Sequence, residues 1–191
     1  MPKQRVWQIK ALPRYNTSMS LLKIVHYPDP VLLTPAKPVT DNEFNPELAA
    51  VVENMFETMV AAGGVGLAAP QVGISRRLFV MGIPGEDDSV RRVAFINPEV
   101  IYQEGEQSDE EGCLSFPGLF QLVKREMRVV VRADDLKGER FEMDLTNLAA
   151  RCVLHETDHC DGIVFLDRMS PLKRGIAKSK IKRLQKTGKW E

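Results

Sequence analysis

The sequence predicts one mixed domain of helices and antiparallel strands, and three observations carry that prediction. NPELAAVVENMFETMVAAGG places Leu48, Val51, Val52, Met55, Phe56 and Met59 at the spacing of one helix face. RLFVMGI, VAFINPEVI and KREMRVVVRADDLKGERFEMDL are runs of strand formers broken by turn signals. TNLAARCVLHETDHCDG then returns to helical character.

Taken in order, LLKIV just after Met19 reads as the first strand. Asn45 suits the cap of the first helix and Pro46 its first turn, while Gly63 and Gly64 end it. Two strands follow the glycine-rich turn, and Lys137 with Gly138 marks the turn of a hairpin or meander. Thr146 can cap the next helix and Gly162 can stop it. After Pro171, LKRGIAKSKIKRLQKTGKW reads as a short basic helix or tail.

Length and composition bound the rest. At 191 residues, 43% hydrophobic and 27% charged, the chain suits one soluble domain. Its formal net charge of zero argues against nucleic acid or membrane as the main partner, and no apolar run approaches the roughly 18 residues of a membrane helix. Cys113, Cys152 and Cys160, with no secretory segment ahead of them, suit a reducing compartment such as the cytoplasm. Met1 to Pro28 holds no acidic residue, a bias shared with organelle transit peptides. An upstream start ahead of Met19 is the plainer reading, and organelle targeting stays open.

HETDH, His155 to His159, matches H-E-x-x-H, in which two histidines on one helix face hold a divalent metal and the glutamate moves protons. Cys152, His155, Glu156 and His159 share that face, while Cys160 is rotated roughly 100° from His159. A catalytic metal needs a third protein ligand. The long form of the motif fails because Phe165 stands where its last histidine belongs, and no histidine follows His159. Cys113 in EGCLS is the best upstream candidate, a thiolate joining two imidazoles in a set that suits Zn²⁺ and Fe²⁺. Asp161 or Asp167 remains open as the ligand of a zinc endopeptidase, and Cys152 or Cys160 as the fourth ligand of a structural metal in an RNA-docking module. GVGLAAPQ, Gly64 to Gln71, would let the backbone approach a ligand closely.

With GVGLAAPQ, EGCLS and HETDH in this order, the chain resembles the peptide deformylase family, metalloenzymes that remove the formyl group from the N-terminal methionine of new proteins. The resemblance runs from about Ser20 to the C-terminal helix. It implies an α+β fold with antiparallel strands wrapped around a central metal-binding helix, and a catalytic domain over 20–170, with 1–19 a basic extension open to disorder and 171–191 a basic helix or tail. It also implies Cys113, His155 and His159 as ligands of one divalent ion, Fe²⁺ natively, with Zn²⁺, Ni²⁺ or Co²⁺ able to substitute. Glu156 would be base and then acid while a metal-activated water attacks, and Gln71 with the Leu114 N–H would face the developing oxyanion. Val65, Leu148 and Cys152 would line a methionine pocket, beside Gly64 to Gly66 pairing with the peptide. Arg151 falls near that pocket by helical spacing, and Glu111 with Arg125 could form an ion pair behind Cys113. The expected partner is the formylmethionyl nascent chain of a monomeric enzyme, with ribosome docking through the basic segment.

Overall fold

The computed structural model describes residues 20–84 and 90–190, so the expectations for residues 1–19 lie outside the described residues. The elements are α1 (Pro46–Ala61), β1 (Gly66–Ala68), β2 (Leu78–Pro84), β3 (Val90–Glu104), β4 (Gln107–Gly112), β5 (Phe120–Arg125), β6 (Arg128–Asp134), β7 (Arg140–Thr146), α2 (Asn147–Cys160) and α3 (Pro171–Lys186). Strands β1, β2, β3, β6 and β7 form one antiparallel sheet in that order, and β4 with β5 makes a separate hairpin.

Both faces of the sheet are covered, which is why RLFVMGI is a continuous apolar run. Leu78 and Val80 point into a cluster with Val52, Met55, Phe56 and Met59 of α1. Phe79 and Met81 alternate to the opposite face and join Ala150, Cys152, Val153 and Cys160 of α2. The sheet thus packs between α1 and α2, and every α2 residue from Ala150 to Cys160 is buried. Pro98 is tolerated inside β3 because the register shifts between Ile96 and Glu99. There Asn97 adopts φ 51° and fixes itself to the Val39 backbone through both ends of its amide.

α1 begins as expected, with the Asn45 side chain accepting from the N–H groups of Glu47 and Leu48. Two expectations need correction. Residues of LLKIV form no strand: Leu22 N–H donates to Thr58 Oγ1 of α1 and Val25 N–H to the Gln71 carbonyl, and beyond the run Tyr27 N–H donates to the Ser115 carbonyl. With no single neighbour there is no ladder. Thr146 stands at the N-cap of α2 without capping it, because its hydroxyl faces the Asn147 amide instead, at 3.2 Å from Nδ2. The β4–β5 hairpin has no local sequence signal, because QSDEEG carries almost no strand-forming residue. α3 is capped by Ser170 and sends Ala177 and Ile181, with Trp190 beyond it, into a cluster with Phe116 and Phe165.

Candidate metal centre and active site

Two turns and one helix assemble the site. Gly63, at φ 69°, reverses the chain after α1, and β1 then passes directly over α2. A Cβ on Gly66 would lie 2.6 Å from Glu156 Oε1 and 2.7 Å from Cys152 Sγ, so only glycine permits this approach. Just beyond, Gln71 is fixed by its own turn. Its Oε1 accepts the Ala68 N–H at 2.8 Å, which leaves the NH₂ end facing Cys113 Sγ at 3.4 Å.

Cys113, in the turn after β4, meets His155 and His159 of α2 with all three donor atoms within 4.8 Å of one another. Cys113 Sγ and His159 Nε2 are 3.2 Å apart. A tetrahedral zinc with one sulfur and two nitrogen ligands spaces such donors by roughly 3.5 Å, so the cluster has the size a divalent cation requires. His155 Nδ1 lies 2.6 Å from Glu111 Oε1, an arrangement that turns Nε2 toward the thiol and fixes the ring's tautomer. Burial pushes the His155 imidazole toward neutrality, but the Cys113 thiol and the Glu111 carboxylate outweigh it and raise its pKa. The groups that draw a proton onto this imidazole would favour a bound cation in its place. Burial, with His155 beside it, keeps His159 well below the usual range, hence neutral and able to donate a lone pair.

Glu156 adjoins this cluster. Burial pushes its carboxyl up to about 7, and Oε2 is among the buried atoms with no hydrogen-bond partner among the described residues. An acceptor in that state is ready for a proton from bound water or substrate. The Leu114 N–H likewise donates to no acceptor among the described residues.

A buried ionic network backs the ligands. Glu111 binds Arg125 at 2.7 Å and Arg151 at 2.8 Å as well as His155, and Asp158 binds Arg125 and Arg168. Burial alone would raise the Glu111 carboxyl, yet bonds from His155 and Arg125 hold it well below the usual carboxylate range. The expected Glu111–Arg125 pair is therefore present and buried. Arg151 reaches the site rather than solvent, at 5% exposure. Nothing in the local sequence points to the Asp158–Arg168 pair, because Asp158 stands among other polar residues of α2 and Arg168 lies beyond the helix.

A cavity of about 460 Å³ opens over the cluster, lined by Gly64, Val65, Gly66, Gln71, Cys113, Leu114, Leu148, Arg151, Cys152, His155 and Glu156. All the expected site residues except His159 thus line one cavity, and His159 lies at its base through Cys113. Val65, Leu148 and Cys152 also wall an adjoining apolar cavity of about 310 Å³. The alternative ligands are elsewhere: Asp161 pairs with Arg77, Asp167 with Arg174, and Cys160 Sγ faces the Leu78 carbonyl. Cys152 stands outside the three-ligand group, and burial raises its thiol well above the ordinary value, so it is a neutral wall.

Residues 21–175 match the model of the family described as polypeptide deformylase. A peptide deformylase of Acidobacterium capsulatum is 49% identical over 172 residues, 90% of this chain and 100% of that protein. Among solved structures, a peptide deformylase from Legionella pneumophila is similar with a TM-score of 0.78 at 44% identity, covering 87% of this chain and 98% of the other. One from Ehrlichia chaffeensis in complex with actinonin gives 0.79 at 36% identity, covering 86% and 98%.

Proposed function

The chain belongs to the polypeptide deformylase family, and from that premise we propose that it hydrolyses the formyl group of N-formylmethionyl nascent peptides at the Cys113–His155–His159 centre. The observation that carries the reading is the convergence, in one cavity, of that ligand set with the Gln71 amide and the Glu156 carboxyl, whose Oε2 has no hydrogen-bond partner among the described residues.

Cys113, His155 and His159 would hold one divalent ion, Fe²⁺ as the native metal, with Zn²⁺, Ni²⁺ or Co²⁺ as substitutes. When bound, the ion supplies a Lewis acid that brings the acidity of water close to neutral pH. Glu156 accepts the proton of the attacking water and passes it to the departing amine, a role that its raised pKa supports. The Gln71 NH₂ and the Leu114 N–H donate to the formyl oxygen as charge grows there. Gly64 to Gly66 pair with the peptide backbone, while Val65, Leu148 and Cys152 receive the methionine side chain beside Arg151.

Residues 20–170 form the catalytic domain in this reading, and 171–191 a basic segment. Lys173, Lys178, Lys180, Lys182, Arg183, Lys186 and Lys189 are exposed, which supports salt-sensitive docking on ribosomal phosphate. No helix among the described residues is long and apolar enough to cross a membrane, and we place the enzyme in the cytoplasm as a monomer.

Formate release from a formylmethionyl peptide, measured on Fe²⁺- or Ni²⁺-loaded protein beside a blocked peptide that reports internal cleavage, is the test. Formate without internal cleavage is expected; internal cleavage without formate would sink the reading. Glu156→Ala should lower kcat by about 10²-fold or more while metal stays stoichiometric.

A further inference from the structure

We propose that Trp190 is a positioning residue for the Cys113–Leu114 turn, acting through Tyr27 and Phe116. The proposal rests on the deformylase reading for what that turn does.

The contacts form two short routes. Trp190 Nε1 donates to the Tyr27 carbonyl at 2.7 Å, and the Tyr27 N–H donates to the Ser115 carbonyl at 3.0 Å. One hydrogen-bonded chain therefore ends on the residue after Leu114. By the second route, the Trp190 ring meets Phe116 edge to face at 6.1 Å between centroids, and Tyr27 stacks on Phe116 from another side at 4.9 Å. Phe116 lines the catalytic cavity, and its N–H donates to the Cys113 carbonyl at 2.9 Å. Phe165, 5.0 Å from Phe116, faces His155 at 6.3 Å.

A tryptophan at 7% exposure with its N–H satisfied is an ordinary core residue if it touches only core. Trp190 instead closes on the one segment that carries both a metal ligand and an oxyanion donor. That turn has no strand or helix of its own to hold it, since β4 ends at Gly112 and β5 begins at Phe120. Tyr27 and Phe116 supply the missing rigidity, and Trp190 fixes both. In that reading the peptide contacts come from Gly64 to Gly66 and α2, so the consequence should fall on kcat and spare KM.

The variants are Trp190→Phe, which keeps a ring but loses the Nε1 bond, and Trp190→Ala, which loses both. Ile181→Ala is the control, because Ile181 packs α3 into the same cluster without entering either route. Formyl-peptide kinetics and the thiolate-to-cobalt absorption band of Co²⁺-loaded protein are read well below each melting temperature. W190F should lower kcat several-fold and W190A by roughly 10-fold or more, KM staying within about threefold, because small misplacement of reacting groups is costly. The cobalt band should shift in the same order, and I181A should lower the melting temperature while leaving band and kcat near wild type. Wild-type kcat and band in W190F would overturn the proposal, even if W190A fails to fold. A wild-type protein that released no formate would instead refute the deformylase reading, and the band would still decide the positioning.

Discussion

Glu111 shows how much a single buried side chain can be asked to hold. Its carboxylate takes His155, Arg125 and Arg151, so replacing it leaves the Arg151 guanidinium, which water cannot reach, without a carboxylate and Arg125 with Asp158 alone. Glu111→Gln should therefore cost about 3–5 kcal/mol, as removal of one partner of a buried pair does, and urea unfolding of metal-free protein measures it. The pH dependence follows from its depressed pKa. Below about 4.3, the ordinary glutamate value, the unfolded chain takes up the proton that the folded chain resists, so stability is full above that pH and falls away beneath it. Wild type should lose stability between about pH 4.5 and 3 more steeply than E111Q. In the site, His155, Glu156 and His159 were legible as a pattern because helical spacing fixes which side chains share a face, whereas Cys113, on another segment, was legible only because no histidine follows His159. The same spacing placed Arg151 near the pocket but could not say that it would meet Glu111, since a helix face does not name its neighbour.

Elements were legible where one periodicity ran uninterrupted. α1, β2 and the β6–β7 hairpin follow the sequence because each has a continuous apolar stripe or run and a turn signal at its end. LLKIV misled because strand propensity needs a partner to become a strand, and β4 hid because its pairing with β5 is fixed by tertiary context around Glu111 and Gly112. The crossing of β1 over α2 depends on one atom's absence. Gly66→Ala would force a methyl into the space of the Glu156 carboxylate and the Cys152 sulfur. It should lower the melting temperature by several degrees, corresponding to about 1–3 kcal/mol of overpacking, and lower kcat further through displaced Glu156; differential scanning calorimetry with formate kinetics separates the two.

At the scale of the molecule, the ligands come from two distant segments, Cys113 before β5 and the α2 pair after β7. A bound ion therefore ties the β4–β5 hairpin to the central helix. Chelation should destabilise the folded protein by about 2.7 kcal/mol relative to protein held at a free metal concentration 100 times its Kd, as unfolding with and without added Zn²⁺ will measure. β1 is the outermost strand of its sheet, three residues long and wholly buried, and its first residue, Gly66, lines the catalytic cavity. Unpaired strand borders elsewhere invite self-association, because any extended chain can hydrogen-bond to them. Here the border is too short and too recessed for another folded copy to reach, and Gln71 already takes its Ala68 N–H, so on the proposed reading the part left at Gly66 would admit a thin, flexible chain end without offering a seed for aggregation.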